Sequence, residues 1–217
     1  MPDKPQITIV RSRRKSISLQ MERDGSIIVK APYLIPKILI DRFITQHQDW
    51  IDKNTQKIRQ AKVHKEEGQF LYLGKKVLFT AGNYTSIQIR EDRLLFPESL
   101  IFRKNKELTT WYIKEAKKII TEQVEKYALE MKTDYKEITF SDTKSQWGRC
   151  TRDNRLQFSW RLVMAPQLVL NYVVIHELAH TLEKNHSQLF WMKVRNINPS
   201  YRQQIKWLKD NGPSLSM

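Results

Sequence analysis

The chain has 217 residues with 40% apolar and 10% aromatic residues, a composition typical of a folded globular protein and not of a disordered one. Its single cysteine excludes an intramolecular disulfide framework, and the absence of a run of about eighteen apolar residues argues against a membrane span. The first residues lack the apolar stretch of a signal peptide, so we expect a cytoplasmic protein.

The formal net charge of +15 is concentrated at the two ends of the chain. Residues 1–65 carry 14 Lys and Arg against 6 Asp and Glu, and residues 184–217 carry 6 against 1. A basic surface of this kind can bind nucleic acid, although the solvated faces of amphipathic elements are its ordinary explanation. Nucleic acid is therefore a partner that charge alone allows.

The first hundred residues are predicted to be β-rich with one helix. Short strands over 7–10, 17–21 and 27–29, with a turn at Asp24-Gly25, predict a small β-meander. Pro36 then opens a helix whose apolar stripe runs to Ile51 and includes His47 as a packing residue. Strand-like segments follow at 70–72, 77–80, 86–90 and 94–96.

The second half is predicted to be mainly helical. A long helix is expected from Glu107 to Met131, and residues 138–160 predict two strands around a polar turn. A helix follows Pro166 over 167–183 and is apolar almost all round, so it should be buried. A final helix over 187–209 ends at a Gly-Pro stop signal. We therefore expect an α+β fold with regions 1–100 and 101–217 packed as one compact unit.

The run His176-Glu177-Leu178-Ala179-His180 within the buried helix predicts a metal site. Residues four apart lie on one face of a helix, so both imidazoles can reach one ion with Glu177 beside them. A catalytic zinc takes three protein ligands and leaves its fourth position to water. Two histidines are therefore not enough, and a third ligand must come from elsewhere.

Elimination favours His186 as that third ligand. The later carboxylates are Glu183 and Asp210, and no glutamate lies far enough downstream for a zincin with a glutamate ligand. If the helix continued, His186 would lie about 120° off the face of His180 and roughly 9 Å along the axis. The helix must therefore stop first, which we expect at Asn185 in a left-handed conformation, before Ser187 caps a new helix.

The spacing from His176 to His186 equals that of the metzincin motif HExxHxxGxxH, but Glu183 occupies the glycine position. A metzincin also needs a methionine turn below the metal, and Met192 lies too close behind His186 to provide it. A metzincin is therefore disfavoured.

Several motifs resemble the YgjP-like metallopeptidase family, which is related to the SprT and WLM minimal zincins. The specific motifs lie in the C-terminal half, and weaker ones such as Arg11 to Lys15 and Leu73-Gly74 follow the family order. The specific motifs are Gln146 to Cys150, Phe158 to Leu162, Tyr172 to His180, and Asn185-His186-Ser187 followed by Phe190-Trp191. The chain departs from the family at Arg149, where serine is common.

The resemblance implies a minimal zincin-like domain in which His176, His180 and His186 bind one Zn²⁺ per chain and Glu177 is the catalytic carboxylate. Peptide or protein would be the substrate, and the strand over 155–160 is expected to pair with it as an edge strand. Arg149, Arg161 and Tyr201 are candidates for substrate or oxyanion contacts.

Two alternatives remain open. Zinc-activated water also attacks phosphorus, so a metal-dependent nucleotide phosphohydrolase is one of them. The other is a nucleic-acid-associated binding protein with a structural metal site. A structural zinc site normally has four protein ligands, and the sequence offers three.

Overall fold

The computed structural model describes residues 5–22, 25–66, 68–143 and 146–215, with the backbone alone described over 59–66. The predicted turn at Asp24-Gly25 therefore includes a residue, Asp24, outside the described ones. The protein is mixed α+β, with a β-rich N-terminal region and helices at the C-terminal end, as predicted. It divides into two compact units, one formed by residues up to His64 with a segment from Asp210, and one by Lys65–Lys209. The division into regions 1–100 and 101–217 stays a prediction.

The first unit contains a three-stranded sheet of β1 (Ile7–Ser12), β2 (Ser18–Met21) and β3 (Ile27–Pro32). The strands form where predicted, but the meander is wrong because the order is β1-β3-β2, with β1 parallel to β3. A meander would need a β1–β2 hairpin, and residues 13–17 lack the Gly or Asn of a tight turn. β3 is the central strand, and its Ile27, Val29 and Ala31 are fully buried on one face.

Two helices follow in place of the single predicted one: α1 (Lys37–Gln46) and α2 (Gln48–Glu66). The break is at His47, whose φ of −108° and ψ of 16° leave the helical range. Its Nδ1 donates to the Phe43 carbonyl oxygen at 2.8 Å, and its ring lies 4.2 Å from the Phe43 ring. His47 is therefore a packing residue, as expected.

The second unit begins with a four-stranded sheet in the order β4-β5-β7-β6. The strands are β4 (Gln69–Tyr72), β5 (Lys75–Gly82), β6 (Gln88–Arg90) and β7 (Arg93–Pro97). The predicted long helix forms as α3 (Lys104–Met131) and buries every fourth residue from Leu108 to Ala128. This spacing gives one apolar stripe, which packs on the sheet at Leu108 and continues along the helix.

A second sheet lies next along the chain and has three strands, whereas two were predicted over this stretch. They are β8 (Glu137–Ser141), β9 (Gly148–Cys150) and β10 (Arg155–Ser159), in the order β8-β10-β9. β10 is parallel to β8 and antiparallel to β9. The number of strands differs because β10 pairs with β9 on one side and, across a long connection, with β8 on the other, and a local pattern does not reveal such pairing.

The predicted buried stretch after Pro166 forms α4 (Gln167–Leu182). Its start is held by the β4–β5 turn, where the Leu73 and Gly74 amides donate to the Val163 and Met164 carbonyl oxygens at 2.7 and 3.1 Å. Gly74 has φ +78°, and a Cβ there would lie 2.7 Å from a ring carbon of Pro166. Only glycine therefore allows this close approach.

The single C-terminal helix that was predicted is wrong, because the structure has α5 (Gln188–Ile197) and α6 (Tyr201–Asn211). The interruption is caused by Pro199, since a proline disfavours the helical conformation of the residue before it. Asn198 accordingly has φ −131° and ψ 85°. Among the described residues, no helix has the length and apolar character needed to cross a membrane.

Candidate metal centre

α4 carries His176, Glu177 and His180 on adjacent turns of one helix. Most of the helix from Val169 to Ala179 is buried, and it packs against α3, α5 and β9. A helix fixed on several sides holds its side chains in a defined orientation. The fold therefore positions the motif before any ligand arrives.

α4 ends at Leu182, one residue before the predicted end, but the expected left-handed Asn185 is wrong. Glu183 is already extended, with φ −137° and ψ 108°, and Asn185 is absent from the positive-φ residues of the described chain. Two contacts made by Glu183 and Lys184 hold the chain in this extended form. The Glu183 carbonyl oxygen accepts a bond from His180 Nδ1 at 3.0 Å, and Lys184 donates to the Asn154 side chain at 2.5 Å.

The early helix end brings His186 back toward α4. Ser187 caps α5 as predicted, with its side chain accepting a bond from the Phe190 amide at 3.2 Å. His186 Nε2 lies 3.2 Å from His176 Nε2 and 3.2 Å from His180 Nε2. The three histidines therefore converge on one point, and their ligand atoms lie within 4.8 Å of one another.

This spacing fits a tetrahedral zinc ion. Zn–N bonds of about 2.0–2.1 Å at tetrahedral angles place two ligand nitrogens about 3.3 Å apart. The carbonyl of Glu183 can only accept, so His180 Nδ1 carries the proton and its Nε2 lone pair points at the shared centre. A metal cation binds such an unprotonated nitrogen, and His180 Nε2 is directed at the same point as the other two imidazoles.

The pKa values of His176 and His180 also favour the neutral form that binds metal. Burial lowers the pKa of His176 to about 3, with His180 and His186 adding to the effect. Burial is the main cause that lowers the pKa of His180 as well. Metal binding to such imidazoles displaces no proton at neutral pH.

Tyr172 contacts the ring nitrogen of His176 that is not directed at the other histidines. Its Oη lies 3.3 Å from His176 Nδ1. Such a contact orients a ligating imidazole. Tyr172 belongs to the sequence motif, but no role was predicted for it. Its spacing of four residues before His176 on a helix was the signal that indicated a contact.

Substituting Tyr172 with Phe is expected to weaken zinc binding by about tenfold, the low end for loss of a partner of a metal ligand, because the bond is long. Competition with a fluorescent zinc chelator measures the dissociation constant. Tyr127→Phe is the matched control, since Tyr127 Oη accepts a bond from Asn171 of α4 at 3.1 Å and touches no histidine. Equal zinc affinity in both variants would show that Tyr172 does not support the site.

Aromatic rings cover the outer side of the histidines. Trp191 is stacked on His186 with ring centroids 5.7 Å apart, and Tyr201 is stacked on Trp191 at 5.2 Å. Phe190 is fully buried and its ring lies 4.5 Å from that of His180. Tyr201 is thus brought to the edge of the centre, one ring behind His186.

The side chain of Glu177 extends from α4 toward β9, and 5% of the residue's surface is exposed. Burial raises its pKa to about 8, and a hydrogen bond from the Cys150 backbone N–H opposes that shift. A Cβ at Gly148 would lie 2.6 Å from both Cγ and Oε1 of Glu177. Gly148 is therefore part of the site, which the sequence analysis missed. A lone glycine inside a strand was the available signal of a close approach.

Gly148→Ala is expected to displace the Glu177 carboxylate, lower the free energy of unfolding by about 1–3 kcal/mol and reduce activity well beyond that of a control. The control is Gly82→Ala in β5, whose added Cβ meets the ring of Tyr84 at 3.0 Å. Chemical denaturation and the rate of peptide cleavage measure the two effects. Full activity in Gly148→Ala would contradict the role of this glycine.

The expectation that residues 155–160 form a free edge strand is wrong. β10 is the central strand, paired on both sides by β8 and β9, so its backbone groups are occupied. The strand edge beside Glu177 belongs to β9. Side chains alternate along a strand, so Arg149 lies on the face opposite to Gly148.

The remaining predicted contact, Arg161, is held within the protein. Its side chain is 11% exposed, forms an ion pair with Asp142 and lies over the Trp160 ring at 4.1 Å from the centroid. Among the described residues, no hydrogen bond or ion pair joins Arg149 or Arg161 to the three histidines. The geometry thus brings together His176, Glu177, His180 and His186, with Tyr201 nearby.

Comparison with known proteins gives an independent result. A family model described as YgjP-like, metallopeptidase domain, matches residues 15–211. No curated protein matches the chain. A solved structure, the metallopeptidase zymogen of Pyrococcus abyssi abylysin, is 17% identical over 41% of this chain and 90% of its own, with a TM-score of 0.39. Since the family model spans most of the sequence, the chain belongs to the YgjP-like metallopeptidase family.

Proposed function

We propose that the protein is a zinc-dependent metallopeptidase whose His176, His180 and His186 hold one Zn²⁺ per chain, with Glu177 as general base. The observation that carries this proposal is the convergence of three imidazole Nε2 atoms beside a buried carboxylate. Membership of a metallopeptidase family supports it. Three protein ligands leave one position open, as in catalytic and not in structural zinc sites.

When bound, zinc supplies Lewis acidity that lowers the pKa of water and polarises a carbonyl group. Glu177 then accepts the proton of the attacking water and delivers it to the leaving amine. Its pKa of about 8 lies near neutrality, and a nearby cation favours its ionised form. The Cys150 N–H, which donates to this carboxylate, would hold it in place for proton transfer.

We further infer that an extended peptide lies along β9. The Trp147 carbonyl oxygen accepts a bond from the Ser159 amide, and the Thr151 amide donates to the Arg155 carbonyl oxygen. The backbone N–H and C=O groups of the odd-numbered residues from 147 to 151 therefore point toward β10. The backbone groups of Gly148 and Cys150 consequently face the outer edge, where Cys150 N–H reaches Glu177. The backbone of Gly148 is then the pairing group for a substrate strand beside the carboxylate.

Metal removal tests this function directly. We expect the rate of cleavage of an unstructured protein to fall at least about 100-fold after dialysis against a chelator and to return with one equivalent of Zn²⁺. Water that is not bound to a metal ion is a far weaker nucleophile. Peptide products are measured by mass spectrometry. Cleavage that persists without metal would contradict the proposal, and zinc-dependent phosphate release from nucleoside triphosphates without peptide cleavage would favour the phosphohydrolase.

A further inference from the structure

The sheet of β8, β9 and β10 has two unlike faces. On β10, Leu156 and Phe158 are fully buried, whereas Gln157 and Ser159 point to the other side. The register pairs Ser159 with Ser141 and Gln157 with Arg149. Directly paired residues share a face, so these four polar side chains lie together, on the face turned away from Glu177.

The four polar side chains line a shallow surface cleft, whose space of about 130 Å³ is counted together with open solvent. Thr143, Gln146 and Gly148 complete the lining. Ser159 is 1% exposed, and its Oγ has no hydrogen-bond partner in the described part of the chain. A buried hydroxyl without a partner is unfavourable, so the group is suited to a ligand that supplies the missing bond.

The other polar groups of the cleft are also available. In the ranges that the structure describes, no hydrogen bond or ion pair involves the side chains of Gln146, Arg149 or Gln157. The nearby carboxylates are already engaged, since Glu137 and Asp153 pair with Arg155, and Asp142 pairs with Arg161. Among the described residues, the lining of the cleft therefore offers hydroxyl and amide donors and the positive charge of Arg149, and it includes no carboxylate.

We propose that this cleft is a subsite for a short acidic side chain, Asp or Glu, of the substrate. The inference rests on the proposed function, because a peptide added to the edge of β9 places alternate side chains on the face that carries Arg149. A carboxylate accepts bonds from Arg149 and Ser159 together. An apolar side chain leaves Ser159 without a partner, and a Lys or Arg side chain is repelled by Arg149.

Binding to the zinc-loaded Glu177→Gln protein tests the subsite without cleavage. The probes are fluorescent unstructured peptides, identical except that one position holds Glu, Gln or Lys, with that position moved stepwise along the peptide. Fluorescence anisotropy should show one position at which Glu binds at least about tenfold tighter than Gln, the size of one charge-assisted hydrogen bond. At other positions the two should differ by less than about threefold, as expected of long-range attraction to a basic protein.

Two charge variants separate a built site from general attraction. Arg149→Glu should abolish the tenfold preference, whereas Arg152→Glu in the β9–β10 turn makes the same charge change outside the cleft and should preserve it. Ser159→Ala should reduce the preference to about threefold, with thermal unfolding confirming that the variant folds. Preference at no single position, or equal loss in both arginine variants, overturns the subsite.

The unsubstituted protein distinguishes this proposal from the proposed function. Zinc-dependent cleavage of Glu and Gln peptides at equal rates, with equal binding, overturns the subsite and leaves the peptidase standing. A positional preference for Glu in binding, with no cleavage of any peptide, keeps the acidic subsite and overturns the peptidase.

Discussion

Substitution of Glu177 with Gln is expected to leave zinc content unchanged and to lower kcat for peptide cleavage by about 10³-fold, the usual contribution of a general base. Gln keeps the shape of the side chain and can still accept the Cys150 N–H bond through its carbonyl oxygen. It cannot take the proton of water. Zinc analysis and the cleavage rate of an unstructured peptide, measured on the same sample, provide the two readouts.

Glu183→Gln is the matched control for that experiment. It removes one carboxylate near the same end of α4, while the backbone carbonyl that accepts the His180 Nδ1 bond is retained. We expect its zinc content and rate to stay within about twofold of the unsubstituted protein, since surface changes of this kind have small effects. Full activity of Glu177→Gln, or an equal loss in both variants, would refute the role of Glu177 as the base.

The stability of Glu177→Gln offers a further check. Burial raises the pKa of Glu177, so the ionised carboxylate destabilises the folded state. The neutral amide of Gln at this position should therefore make the zinc-free protein more stable above pH 8. Below the ordinary pKa of glutamate, Glu177 is neutral like the Gln that replaces it, and the two proteins should be equally stable. The midpoint of thermal unfolding, compared at pH 4 and pH 9 without metal, measures this.

The elements that the sequence predicted well are those with local signals. α4 was predicted within one residue, because a long apolar run follows Pro166 directly. The junction of His186 and Ser187 was predicted from a local cap, and Ser187 indeed caps α5. The polar loop residues and alternating strands in the N-terminal region carry equally local patterns, so those strands also form where expected.

Features that depend on distant contacts were missed. The order β1-β3-β2 and the central place of β10 are set by pairing across long connections, and hydrophobic alternation is the same in either arrangement. The extended chain after α4, in place of a left-handed Asn185, accompanies the contacts of Lys184, which donates to Thr151 and Asn154 some thirty residues earlier. The contact between Gly148 and Glu177 spans a similar separation, so the glycine indicated a close approach but not the residue that makes it.

The same distinction explains the three predicted accessory residues. Arg149 and Arg161 lie near the motif in sequence, but the alternation of strand faces and the pairing with Asp142 direct them elsewhere. Arg149 instead joins the polar face of the β8-β10-β9 sheet. Tyr201 lies beyond a helix break that the sequence analysis did not predict, and that break folds α6 back so that its first residue stacks on Trp191.

Substitution of His186 with Ala is expected to weaken zinc binding by at least about 10²-fold. Zinc sites bind with about 10–16 kcal/mol shared among their ligands, so the loss of one ligand removes about 3 kcal/mol. His186 is exposed, and its removal leaves no buried cavity. The zinc-free variant should therefore unfold at nearly the same temperature as the zinc-free parent, which separates a ligand from a residue of the core.

The zinc-dependent rise in the unfolding temperature gives the most direct measure of this effect. A ligand at 1,000 times its dissociation constant stabilises the folded state by about 4 kcal/mol, and at ten times by about 1.4 kcal/mol. A 10²-fold loss of affinity should thus remove most of the zinc-induced shift at a fixed zinc concentration. His47→Ala is the control, since that imidazole donates to the Phe43 carbonyl and should leave the shift intact. An undiminished shift in His186→Ala would show that the third ligand lies elsewhere, whereas its loss in that variant alone would identify the junction of α4 and α5 as the element that completes the zinc site.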